Sequence, residues 1–342
     1  MRPSPIPIRR RILYSLSILM LVSMVAEAGA RLIWSDEDLV MNPTLTYLRD
    51  EPTLLWSMRP QVDIELDGFH LQTNSLGLRD HEIAQPKPED RVRILSLGES
   101  TTWGHGVALE ETYGKVLETL LSSGNEDFEV INAGVAGYTT WQSAVYLEER
   151  GLDLQPDVVM LYHLKNDSLP RGVIDENNFL YQVPYTDAET YRMRRPVRYL
   201  LSGLYRSHLY LRLRQAVLRL PSDLPDAATS RERHEPRMTP EERTEALWWI
   251  HKLCSERGIR LIVLFPTYHQ HPGHDYVLRD FARLSDTPLI RLPERKAASG
   301  ISNEAYYLDE VHPSAEGHAL IAQWIHEALE AQGPGWWDAS GD

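Results

Sequence analysis

Apolar residues fall along this chain in two kinds of run, one long run near the N-terminus and several short ones later. The long run spans Ile12 to Ala26 without a charge and lies directly after Arg9, Arg10 and Arg11. Glu27 and Arg31 interrupt it before Leu32, Ile33 and Trp34 resume it. A basic cluster before an apolar helix stays on the cytoplasmic side and sends the rest of the chain outward. Two fates fit. The segment up to Trp34 is a single anchor helix, with Arg31 snorkelling and Trp34 at the interface. Alternatively it is a signal peptide, because Ala26-Glu27-Ala28 and Ala28-Gly29-Ala30 both have the small-residue spacing of a cleavage site.

From residue 36 to 90 the pattern is irregular, with prolines at 43, 52, 60, 86 and 88. Partial alternation at Val62, Ile64 and Leu66 predicts a short strand or hairpin between Val62 and Leu71. This stretch reads as an accessory segment packed on the main domain. A regular pattern begins at Arg91. Strand runs are expected at Val92–Leu97, Phe128–Ile131, Val158–Tyr162, Ile259–Phe265 and Leu289–Leu292. Helices are expected at Thr112–Leu121, Thr139–Arg150, Thr239–Arg257, Asp275–Leu284 and Pro313–Ala331. Thr239-Pro240-Glu241-Glu242 is the clearest helix start: an N-cap threonine, proline at the first helical position and glutamate three residues on. Strands separated by helices of this length imply parallel βαβ units. The pattern breaks at about 168–238, which reads as an insertion, partly helical around Val197–Leu218. Its arginines between Arg192 and Arg214, interleaved with Leu and Tyr, suit either a solvated helix packed on the domain or a membrane surface.

The chain has 342 residues, 42% of them hydrophobic, enough for one sizeable core and a small accessory module. We divide it into an N-terminal anchor or signal at 1–35, the accessory segment at 36–90, a main domain at 91–332 and a tail at 333–342. A net charge of −14 argues against a nucleic-acid partner, which would require a basic face. The one cysteine, Cys254, lies in an apolar helical stretch and reads as a buried structural thiol.

Four places carry candidate chemistry. In Leu97-Gly98-Glu99-Ser100 a strand ends and a serine comes next at a helix start, which places a hydroxyl at the carboxyl edge of a parallel sheet, where open α/β folds bind ligands. In Asp309-Glu310-Val311-His312 a carboxylate and an imidazole share one short loop. That is the pairing a serine nucleophile needs: a base to take its proton and an acid to fix the base's tautomer. Asn132-Ala133-Gly134-Val135-Ala136-Gly137 and Asn166-Asp167 come after the second and third strands and so lie at the same edge. Gly137 offers a backbone N–H and Asn166 a side-chain amide; with the Ser100 N–H they would form an oxyanion hole. The histidines at 163, 269, 271 and 274 lack metal-ligand spacing, and the His269–His271 loop reads as pocket lining at most.

Together these blocks resemble the SGNH hydrolase superfamily, the GDSL-type esterases and lipases, over about residues 91 to 330. The resemblance implies a three-layer α/β/α sandwich with a flavodoxin-like parallel sheet of about five strands. It implies Ser100 as nucleophile, Asp309 as orienting acid, His312 as general base, and Gly137 and Asn166 as oxyanion donors beside Ser100. Two positions depart from the family pattern. Glu99 stands where aspartate is usual, and Leu164 stands where a glycine normally precedes the asparagine by two residues, which bears on the shape of the oxyanion side of the pocket. The implied activity is hydrolysis of acyl esters outside the cytoplasm, with a cell-envelope glycan or lipid as substrate and no cofactor or metal. An O-acyltransferase modifying a polysaccharide and a non-catalytic binding module of the same fold stay open at this point, as does the oligomeric state. The expected location is membrane-anchored with the catalytic domain outside the cytoplasm, or secreted if the N-terminus is cleaved.

Overall fold

The computed structural model describes residues 7–35, 47–66, 68–124, 127–169, 185–218, 236–267 and 275–338. The loop at 268–274, with its three histidines, lies outside them, as does most of the polar tract that ends the insertion.

The N-terminal run is one helix, α1 (Ile8–Ile33), and among the described residues it alone is long and apolar enough to cross a membrane. Its side chains from Ile12 to Val25 are exposed. Two hairpins come next: β1 (Leu48–Glu51) with β2 (Leu55–Met58), and β3 (Asp63–Leu66) with β4 (Phe69–Gln72). The second is the one expected from alternation. The first has no such signal. Its strands are only four residues long, and β1 carries Arg49, Asp50 and Glu51, so no apolar alternation marks it. Cross-strand polar contacts join it, with Arg49 bonding Ser57 at 3.0 Å and Ser57 bonding Glu51 at 2.8 Å, and Leu48, Leu54, Trp56 and Met58 are buried in the core.

The main sheet has five parallel strands: β5 (Arg91–Gly98), β6 (Asp127–Gly134), β7 (Val158–Tyr162), β8 (Arg260–Phe265) and β9 (Leu289–Arg291), in the order β6-β5-β7-β8-β9. The helices are α2 (Ser100–Trp103), α3 (Tyr113–Leu121), α4 (Thr140–Glu149), α5 (Lys165–Ser168), α6 (Asp187–Arg194), α7 (Arg198–Leu204), α8 (His208–Leu218), α9 (Pro240–Ser255), α10 (Asp275–Ser285), α11 (Leu292–Ser299), α12 (Asn303–Tyr306) and α13 (Ala315–Glu330). Each central strand is buried on both faces, which is why it reads as a continuous apolar run. Successive residues nevertheless serve different layers. Leu95, Ile131 and Val159 share one core with Ala144, Leu147, Leu247 and Phe281, from α4, α9 and α10. Ile94, Val130 and Val158 share another with Leu117 and Ile325, from α3 and α13. This is the expected three-layer α/β/α sandwich. Trp56, Phe69, Leu71 and Leu78 from the hairpin segment belong to the first core. Cys254 is buried there too, and burial pushes its thiol up to about 12, which leaves it unreactive at neutral pH. The insertion supplies α6 to α8. The strand expected to end at Leu292 ends one residue earlier, because Leu292-Pro293 opens α11 with proline in its first turn.

Candidate active site

The central strand β5 sets the position of the site. Its last residue, Gly98, stands in register with Gly134 of β6 on one side and Tyr162 of β7 on the other, so three strands end level. Ser100 opens α2 from this middle strand, flanked by the β6 and β7 loops. The packing there is close. A Cβ on Gly134 would lie 2.3 Å from the Trp103 amide nitrogen, so only glycine lets β6 pass under α2. Gly134→Ala should cost about 1–3 kcal/mol in urea unfolding, the usual penalty for overpacking; an unchanged midpoint would contradict the contact.

The other half of the site is the loop before α13. An antiparallel bridge between Tyr307 and Pro313 closes it, and the Leu308 N–H donates to the His312 carbonyl at 2.8 Å. Ser314 caps α13 and its Oγ donates to the Ala305 carbonyl at 2.6 Å. So held, His312 Nε2 lies 2.8 Å from Ser100 Oγ, and its Nδ1 lies 2.7 Å from Asp309 Oδ2. The other Asp309 oxygen accepts the Val311 and His312 N–H groups at 2.7 and 2.8 Å. Burial alone would raise the Asp309 carboxyl, but the imidazole and these two N–H donors outweigh it and hold the group down at about 2. A depressed carboxyl stabilises the fold above its ordinary value of 3.8, and that contribution is lost as pH falls through about 2. An ionised Asp309 at Nδ1 places the ring proton there and leaves the Nε2 lone pair for the serine hydroxyl.

On the β6 side, three consecutive carbonyls of the turn 136–138 are each held by a distant side chain. The Trp56 indole donates to Ala136 at 3.1 Å, Arg237 Nη1 to Gly137 at 2.6 Å, and Asn166 Nδ2 to Tyr138 at 3.1 Å. Gly137 itself adopts φ +80°, a conformation that a side chain would strain. Asn166 uses one of its two amide hydrogens on Tyr138, and the second is not needed for that bond. Glu99 grips the β7 loop, its carboxylate accepting the Lys165 and Asn166 N–H groups at 3.2 and 3.0 Å. The glutamate at this position thus ties the Ser100 turn to the loop that carries Asn166. Leu164 is buried, and buried His163 bonds Ser143 at 2.7 Å, facing the core rather than reacting groups.

The sequence model of the GDSL-like lipase/acylhydrolase family matches residues 96–320, from the end of β5 into α13. The chain belongs to this family. It is therefore a carboxylic ester hydrolase of the GDSL type. No functionally curated protein matches it in sequence. Among solved structures, it is similar to the lipase/acylhydrolase from Enterococcus faecalis, at 18% identity over 70% of this chain and 96% of that one, with a TM-score of 0.45. An esterase from a Pseudoalteromonas species matches at 13% identity over 70% and 97%, TM-score 0.45. A variant acetyl-xylooligosaccharide esterase from Geobacillus matches at 17% over 72% and 95%, TM-score 0.45.

Around this GDSL-type site the structure places two residues that no sequence motif singled out. The His105 ring centroid lies 4.3 Å from that of His312. Ligand atoms of His105, Asp309 and His312 fall within 4.8 Å of one another, close enough to hold a metal ion, although two of these residues are already hydrogen-bonded to each other. Arg79 is fully buried and donates to the carbonyls of Trp103 at 2.8 Å, Val107 at 2.5 Å, and Gly104. The first and third of these carbonyls end α2, so the cation braces the helix that Ser100 begins. Neither residue lies in a periodic or spaced pattern. Arg79 lies within the irregular segment, and only folding brings it to the helix.

Proposed function

We propose that this GDSL-family hydrolase acts by a Ser-His-Asp mechanism, outside the cytoplasm, on acyl esters of a cell-envelope glycan or lipid. The observation that carries the mechanism is the continuous hydrogen-bond chain from Ser100 through His312 to Asp309, at 2.8 and 2.7 Å. His312 takes the Ser100 proton as Oγ attacks the ester carbonyl, and Asp309 stabilises the imidazolium that forms. The Ser100 N–H, first in its helix and so without an intrahelical acceptor, joins the Gly137 N–H and the second amide hydrogen of Asn166 around the developing oxyanion. The imidazolium then protonates the departing alcohol. Water, deprotonated by His312, attacks the acyl-enzyme, and the acid is released as Ser100 regains its proton. The location outside the cytoplasm is inferred from Arg9 to Arg11 at the start of α1, and the envelope substrate from that location.

The test is labelling with a fluorophosphonate probe, which needs an activated serine. The full-length protein should label stoichiometrically, with the modified peptide containing Ser100, and Ser100→Ala should not label. Labelling elsewhere, or none on folded protein, overturns the assignment.

A further inference from the structure

The two possible fates of α1 leave different traces in the fold. Both cleavage motifs, 26–28 and 28–30, lie in the last turns of α1, and those turns are built into the domain. Glu27 accepts hydrogen bonds from Ser207 Oγ at 2.7 Å, the His208 N–H at 3.1 Å and the Leu209 N–H at 3.2 Å. Its carboxylate thus satisfies backbone donors at the start of α8, where a negative charge also suits the helix dipole. Arg31 pairs with Glu27 at 2.8 Å and donates to the Arg206 carbonyl at 2.6 Å. Trp34 closes the joint: its carbonyl meets His208 Nδ1 at 3.1 Å and its ring lies under the Arg212 guanidinium at 5.4 Å. Cleavage at either motif would strip Glu27 from α8.

The joint also fixes a height. If α1 spans the bilayer, its last turn sits at the membrane surface, and the link between α7 and α8 that is bonded to it sits there too. The side chains exposed nearby are those an interface takes up. None of α7 is buried, although it reads Arg-Tyr-Leu-Leu-Ser-Gly-Leu. Tyr199 is 80% exposed and Leu200 66%, and on α8 Leu213 and Val217, one turn apart, are 57% and 63% exposed. Arg195 and Arg198 precede the patch, Arg195 paired with Glu148 at 3.7 Å and Arg198 over the Tyr199 ring at 4.9 Å. A helix that turns Tyr199 and Leu200 outward beside arginines has a composition that fits the headgroup region of an anionic bilayer.

We infer that α1 is retained as an anchor and that α7 and α8 form the face by which the catalytic domain lies on the phospholipid surface. This inference rests on the location outside the cytoplasm proposed above. It is tested on the full-length protein in vesicles of phosphatidylcholine and phosphatidylglycerol, spin-labelled at Leu200→Cys or, as a control, at Ser299→Cys. Ser299 is exposed on α11, which packs on α13 in the opposite layer. Native Cys254 is buried and does not compete for label. The label at 200 should collide more with oxygen than with an aqueous nickel chelate, and the label at 299 should show the reverse order. An aqueous profile at 200 on protein that floats with the vesicles and keeps its N-terminus by mass spectrometry overturns the α7–α8 surface while leaving the anchor intact. A mature chain starting beyond Glu27 overturns the anchor, and the inference with it.

Discussion

Ser100→Ala and His312→Ala should each lower kcat for p-nitrophenyl acetate by about three or more orders of magnitude, and the double variant should be scarcely worse than either single one. The non-additivity is the sharper part of the expectation. In the proposed mechanism the hydroxyl is a nucleophile only while Nε2, 2.8 Å away, accepts its proton, and the imidazole has no task once the hydroxyl is gone. Independent contributions would multiply; members of one relay do not. Asp309→Asn should be milder by about one to two orders of magnitude, with KM little changed. Its oxygen fixes the ring through Nδ1, and its side chain is half exposed, so water replaces part of what the carboxylate supplies. Activity left in each variant is referred to the fraction folded by near-ultraviolet circular dichroism. If Ser100→Ala keeps more than a small part of the wild-type kcat, or if the double variant shows the product of the two single losses, the relay is not the catalytic unit.

The residues to which we assign the chemistry were legible as candidates because each sits after a strand or before a helix, where local pattern speaks for position. β5, β6 and β7 announce themselves as apolar runs, so the loops after them had to share one sheet edge. The residues that hold those loops in place were not legible. Trp56 reaches Ala136 across 80 positions and Arg237 reaches Gly137 across 100. One comes from a strand of a hairpin joined by polar contacts, the other from the end of an insertion with the composition of a surface excursion. Neither has a periodic neighbour, and a buried arginine looks like a surface arginine until its acceptors are known. The hairpin segment and the insertion therefore matter to the site in a way that composition hides: together they hold the carbonyls of the β6 loop.

The same logic gives the largest expected effect on stability. Arg79→Met keeps most of the side-chain volume and removes all donors, leaving the carbonyls of Trp103, Gly104 and Val107 buried without their guanidinium. An unmet buried carbonyl costs about 1–3 kcal/mol, and some of the three will find partial relief, so a loss of roughly 3–5 kcal/mol is expected. The cation also lies over the rings of Phe69 and Trp103, at 4.9 and 5.3 Å, contacts that methionine replaces only in part. Among the described residues no ion pair joins a carboxylate to Arg79, and burial pulls it down to about 10, still a cation at neutral pH. Removing it therefore strands no buried anion, and the cost is confined to the carbonyls and rings. Urea unfolding in detergent should show the lost stability as a lower midpoint at constant slope. Because two of the three carbonyls end α2, the folded fraction should also show a lower kcat with KM little altered, as the Ser100 end of that short helix loosens. Arg79→Lys, able to reach fewer of the carbonyls, should fall between the variant and the wild type on both measures. A midpoint unchanged in Arg79→Met would mean that water satisfies these carbonyls as well as the guanidinium does. Intact stability with a lower kcat would mean instead that Arg79 acts on the position of Ser100 alone.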